Sequence, residues 1–167
     1  SSTAITDNFS DGDFTAGAAT WTATAGTWSA ASNDLRTTAL SGVDNLNHTI
    51  HSTNLSSAAI AWEFSHQYDG GVGSDNMCAD DTNSGACFEF RYLKNGADYK
   101  AVTIIDGAAP SSKTLRLIKK VSGTTTILTE KTITYPRLST KKIRIELSVD
   151  GTHTLFLEGV FESSSTD

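Results

Sequence analysis

At 167 residues the chain is the size of one domain, long enough to bury a core without dense disulfide or metal support. Its 13 basic and 19 acidic residues give a net charge of −6, with the basic ones scattered rather than clustered, which argues against nucleic acid as a partner. The longest apolar runs, such as Ala58-Ala59-Ile60-Ala61-Trp62, are too short for a bilayer span, so a soluble protein without membrane insertion is expected.

The N-terminal part is marked by motif rather than by period. It reads Asp7-Asn8-Phe9-Ser10-Asp11-Gly12-Asp13-Phe14, then Trp21, then Gly26-Thr27-Trp28-Ser29-Ala30-Ala31-Ser32-Asn33-Asp34-Leu35-Arg36. This run resembles the opening of a laminin-G-like or concanavalin-like jelly roll. The resemblance implies an aspartate-rich first strand over residues 7–14, a following hairpin of the form W-x(n)-G-x-W-x(n)-N-x-L, and hairpin tryptophans that belong to the core. It extends over residues 7–161 and implies an all-β, antiparallel jelly-roll β-sandwich occupying 1–167 as a single domain. Folds of this kind host lectins, carbohydrate-binding modules, adhesins, structural modules and some glycosidases, so function has to be argued from a site.

Beyond residue 46, apolar residues alternate with period two and almost never recur at helical spacing. Strands are predicted over 47–52, 58–68, 87–94, 99–105, 113–121, 124–134, 141–149 and 152–158, with turns at Asn95-Gly96, Ser122-Gly123 and Asp150-Gly151. Ile60, Trp62 and Phe64 are expected inward, with Glu63, Ser65 and Gln67 outward. Phe88, Phe90 and Tyr92 face the core, and Ile143, Ile145, Leu147 and Val149 share one face. One sheet face is thereby expected to collect Glu63, Gln67, Glu89, Arg91, Arg144 and Glu146, as a solvated surface with cross-strand charge pairs. Pro110 and Pro136 fall between strands. No linker or internal repeat is evident, and the long interruption over 69–86 is of the kind that is often functional.

Cys78 and Cys87 bound a polar loop with no further thiol and no neighbouring histidine, which reads as a disulfide clasp rather than half a zinc site. Closing it would contribute roughly 2.7 kcal/mol in the chain-entropy model. The alternative is a pair of free buried thiols in a cytosolic protein. A start at Ser1 without methionine or leader fits a mature exported chain, and equally an arbitrary boundary. With abundant Ser and Thr, an extracellular or cell-surface location is expected. Asn8, Asn47 and Asn54 head Asn-x-Ser/Thr sequons, relevant where exported proteins are glycosylated.

For chemistry, the outward carboxylates Glu63, Glu89 and Glu146 could in principle form the acid and base pair of a glycosidase. No closely spaced acid run of the jelly-roll glucanase type accompanies them, so no catalytic residue is assigned. His48, His51, His66 and His153 have no companions for a triad or a zinc motif. Asp75, Asp80 and Asp81 offer oxygen ligands in the clasped loop, as Asp11 and Asp13 do near the N-terminus, where the resemblance implies a structural Ca2+ in some modules. Ordinary turn chemistry explains both clusters as well, so the only cofactor in view is a structural Ca2+. Carbohydrate recognition needs aromatic faces beside planar polar groups, and His66, Tyr68, Asp69, Glu89, Arg91 and Tyr99 are the candidate set at the mouth of the 69–86 loop.

The resemblance also implies one or two strands after the Val149-Asp150-Gly151 hairpin, the last lying beside the first strand, whereas the chain ends at Asp167. The final strand is therefore expected to be missing, or to be supplied by another chain through its edge. Two readings result: a non-catalytic extracellular recognition or adhesion module of lectin type binding a glycan or polysaccharide, and a filament or assembly subunit completed by strand donation. A hydrolase is a third and weaker reading.

Overall fold

Among the described residues, period-two alternation carried by Val, Ile, Thr and aromatic residues is realised as strands; residues 47, 48 and 58–60 of the expected strands, Ile60 among them, lie outside the described residues. The computed structural model describes residues 6–17, 19–37, 49–52, 61–69, 77, 86–107, 109 and 111–167. In chain order the strands are β1 (Trp21–Ala25), β2 (Trp28–Ala31), β3 (Asp34–Thr37), β4 (Thr49–Ser52), β5 (Ala61–Gln67), β6 (Ala86–Asn95), β7 (Asp98–Asp106), β8 (Ser112–Val121), β9 (Thr124–Thr134), β10 (Thr140–Leu147), β11 (Thr152–Leu157) and β12 (Val160–Thr166). They form a six-stranded sheet ordered β1-β4-β6-β7-β8-β9, a four-stranded sheet ordered β12-β11-β10-β5, and the β2-β3 hairpin. All pairings are antiparallel except β4 with β6.

The two larger sheets share one core, which makes the molecule all-β and sandwich-like. Phe88, Phe90, Tyr92, Val102, Ile104, Leu115 and Leu117 from the large sheet meet Trp62, Ile143, Ile145, Leu155 and Leu157 from the small one. Ring centroids lie 4.9 Å apart for Trp62 and Tyr92 and 5.2 Å apart for Phe64 and Phe90. Such pairs add about 0.5–1.5 kcal/mol each beyond the area they bury. Trp21 and Trp28 pack on the same cluster, against Phe90 and Phe88.

Several expectations need correction. Residues 7–14 are not a strand. Asp and Asn side chains there close successive local turns, Asp7 Oδ1 accepting from Phe9 N–H, Asn8 Oδ1 from Ser10 N–H and Asp11 Oδ1 from Asp13 N–H. The segment is fastened to β1 by the Trp21 indole N–H donating to Asp7 Oδ2 at 2.8 Å and by Trp21 N–H donating to Phe14 O at 2.8 Å. One strand, β12, does follow the Val149-Asp150-Gly151 hairpin and its return strand β11. It pairs with β11 rather than with residues 7–14, through a two-residue turn in which Glu158 and Gly159 both adopt positive φ. Val149, expected on the buried face of β10, lies in the following turn and is fully exposed.

Polar locks fasten the ends of the sandwich. The segment from β9 to β10 crosses between sheets, where the Tyr135 hydroxyl donates to His66 O at 2.5 Å and the buried Tyr68 hydroxyl donates to Tyr135 O at 2.6 Å. At the other end Asp167 bridges Lys100 on β7, at 2.5 Å, and Lys119 on β8. His153 sits fully buried beside this bridge, with Nδ1 3.0 Å from Tyr92 Oη and Nε2 3.4 Å from Lys100 Nζ.

Burial first, and Lys100 second, hold the His153 pKa below its ordinary 6.5, against the pull of Asp167. The unfolded chain therefore takes up a proton near pH 6.5 that the folded chain refuses. The stability from neutral His153 is full above that pH and is lost as pH falls through the depressed value. Denaturation midpoints measured from about pH 7 down to about pH 5 should fall in the wild type and fall less steeply in His153→Gln; identical slopes would contradict this account.

Candidate functional site

The six residues expected to form one glycan set do not come together. His66 and Tyr68 turn inward at the end of β5, where Tyr135 donates to the His66 carbonyl and is in turn reached by His66 Nδ1 at 2.7 Å. Lys113, fully buried, lies 5.0 Å above the Tyr68 ring and pairs with Asp106 at 3.1 Å. Asp69 is exposed and accepts from Arg137 Nε at 2.8 Å. Glu89, Arg91 and Tyr99 project from the opposite side of the large sheet, because neighbours along β6 alternate between faces.

On that side Arg91 Nε donates to Glu89 Oε1 at 2.6 Å, and its guanidinium lies 3.8 Å over the Tyr99 ring. Burial chiefly, and then Glu89, push the Tyr99 pKa up, with Arg91 opposing. The solvated face expected here is not found, since Glu89 is only 3% exposed. Its charge is balanced along the strand, by a residue two positions on, rather than across strands.

The charged residues expected on one face belong to two sheets. Glu89 and Arg91 lie on the large sheet; Glu63, Gln67, Arg144 and Glu146 lie on the outer face of the small one. The three carboxylates weighed for catalysis are divided in the same way. On the small sheet the register aligns Glu63, Arg144, Phe156 and Phe161 in one row across β5, β10, β11 and β12. The next row is Ala61, Glu146, Thr154 and Ser164.

Arg144 Nε donates to Glu146 Oε1 at 2.7 Å, and its Nη1 lies 3.7 Å from Glu63 Oε2. Phe161 is 58% exposed, and its ring centroid is 6.3 Å from that of Phe156 in an edge-on arrangement. A shallow hollow of about 230 Å³ adjoins the row, lined by Ala61, Arg144, Glu146, Leu147, Ser148 and Thr154. The face thus offers aromatic surface, a guanidinium, two carboxylates and a hydroxyl, half-buried except for the exposed Phe161 and Glu63. Phe156 and Phe161 were missed from sequence. Phe156 was legible there, since Leu155 and Leu157 take the inward phase, but Phe161 becomes so only once β12 is known.

Of the metal candidates, Asp13 spends Oδ1 on the Thr15 amide and hydroxyl, which hold its pKa below the usual carboxylate value. Asp11 Oδ1 is spent on Asp13 N–H. Asp75, Asp80 and Asp81 lie outside the described residues, as do Asn47 and Asn54; Asn8 is exposed. No group of three or more potential metal-ligating side chains occurs among the described residues. Cys87 is fully buried and is not a free thiol, while Cys78 lies outside the described residues. Within 70–85 the structure describes Met77, whose N–H donates to Asp106 Oδ1 at 2.9 Å. Compared with family models, curated proteins and solved structures, the chain matches none of them.

The two arginines separate a structural ion pair from an accessible one. Arg91→Ala strands the buried Glu89 and should cost about 3 kcal/mol, whereas Arg144→Ala on the half-exposed pair should cost at most about 1 kcal/mol. Urea denaturation of both variants measures the difference, and equal losses would refute the distinction.

Proposed function

We propose that the chain is a non-catalytic extracellular recognition or adhesion module, of laminin-G-like or concanavalin-like jelly-roll type, that binds carbohydrate. The observation that carries this reading is the row Glu63, Arg144, Phe156 and Phe161 on an open sheet face. Sugar C–H groups pack on aromatic carbon, while hydroxyls both accept from a guanidinium and donate to carboxylates. Exposed ion pairs contribute little to stability, so Arg144, Glu63 and Glu146 can exchange partners with a ligand at small cost. Glu63 and Glu146 flank the same arginine, an arrangement suited to holding hydroxyls.

Export is supported by Cys87, which is not a free thiol, and a Cys78–Cys87 clasp belongs to this proposal. A structural Ca2+ held by the 69–86 loop is part of it as well. Residues 7–14 are held by Trp21 of the same chain, which favours recognition over strand donation. Assembly remains the second reading because Val160 and Phe161, 61% and 58% exposed, lie on the edge strand β12.

Affinity electrophoresis through immobilised polysaccharides, with and without Ca2+, tests the proposal. Retardation on at least one polysaccharide is expected from a protein that light scattering shows to be monomeric. Uniform lack of retardation together with concentration-dependent oligomers would replace this reading with assembly.

A further inference from the structure

We infer that the ligand of the small-sheet face is an internal stretch of a neutral, linear polysaccharide lying across the strands from Phe161 to Glu63. This rests on the carbohydrate reading and adds the ligand's class, length and direction.

Direction follows from register. The four side chains come from four adjacent strands, one from each, so the line joining them runs perpendicular to the strands. Three inter-strand spacings of about 4.8 Å make the row roughly 14 Å long, the length of a short oligosaccharide rather than of one sugar ring. Recognition of an internal stretch follows from the ends of the row. Phe161 stands on β12 and Glu63 on β5, the outermost strands of this sheet. Among the described residues no strand pairs with the outer edge of either, an arrangement that suits a chain continuing past both ends. A site for a chain end or a monosaccharide would need enclosure, and the hollow beside Arg144 is shallow and open.

Neutrality follows from the charges. Arg144 contributes +1, Glu63 beside it in the row and Glu146 in the next row contribute −2, and this cluster of three is net −1. A uronic or sulfated chain would set its anions against two carboxylates, a repulsion that works against binding. Neutral hydroxyls meet no such penalty and satisfy both kinds of group. The division of labour is graded along the row: Phe161 and Phe156 supply the platform for one or two rings, and Arg144 with its carboxylates orients the hydroxyls of the next.

The experiment uses the intact chain and titration calorimetry with two series: neutral oligosaccharides of increasing length from a retained polysaccharide, and acidic polysaccharides. Affinity should rise with length until the row is filled, at about three or four rings, and acidic chains should bind at least tenfold more weakly. Phe161→Ala, on a side chain already largely exposed, should lower affinity about tenfold with an unchanged denaturation midpoint. Glu63→Gln should reduce the discrimination against acidic chains. Arg116→Ala, on the opposite sheet and paired there with Glu130, should leave affinity unchanged. Binding that persists in Phe161→Ala and Phe156→Ala, a preference for acidic chains, or a monosaccharide bound as tightly as an oligomer would overturn this inference and leave the carbohydrate reading standing. Failure of every polysaccharide to bind would overturn both.

Discussion

The rest of the structure depends on the burial of two sheet faces against each other. Trp62 and Phe64 of the small sheet meet Phe88, Phe90 and Tyr92 of the large one in an aromatic layer that leaves little freedom of register or tilt. Once those side chains are inside, period two leaves the intervening residues no choice of face. The alignment of Glu63, Arg144, Phe156 and Phe161 follows from the core. A row fixed in this way would meet the proposed ligand with little ordering left to do, which would lower the entropic cost of binding.

Holding the row also requires the outermost strand to stay in place. β12 is Ser/Thr-rich and has little apolar surface of its own to bury, so its position relies on β11 and on charge. Asp167 just beyond it is bridged to Lys100 and Lys119 of the large sheet, and Glu162 within it lies 3.9 Å from Lys131. Lys100 foremost, and then Lys119, draw the Asp167 pKa down to about 2 from the ordinary 3.8. That contribution is full above the ordinary carboxylate value and is lost as pH falls through about 2, so the strand carrying Phe161 stays fastened across the neutral and mildly acidic range. The Tyr135, Tyr68 and His66 lock fastens the opposite end through hydroxyl-to-carbonyl hydrogen bonds, between the crossing segment and β5.

Much of this was legible in the sequence, and the failures have physical causes. The strand at 124–134 is found as expected, and Ser122-Gly123 makes its hairpin with both residues at positive φ. Alternation tells which residues share a face of one strand but not which strands share a sheet. That is why Glu89 and Arg91 were grouped with Glu63 and Arg144 although β6 and β5 lie in opposing layers. Asp and Asn at residues 7–14 are as compatible with turns as with a resembled strand, and there the local side-chain hydrogen bonds prevail. β12 escaped notice because Ser163-Ser164-Ser165-Thr166 has no apolar alternation; its pairing with β11 supplies what its propensity does not. Phe161, half of the aromatic platform, was lost with it.

The central claim is that the outer face of the four-stranded sheet is the ligand surface. Amide chemical-shift mapping during titration with a neutral oligosaccharide tests it most directly. The account predicts shifts concentrated at Glu63, Arg144, Phe156, Phe161 and their neighbours, with the Glu89, Arg91 and Tyr99 surface unmoved. Shifts centred on Glu89, Arg91 and Tyr99 instead, with the four-stranded face silent, would contradict it.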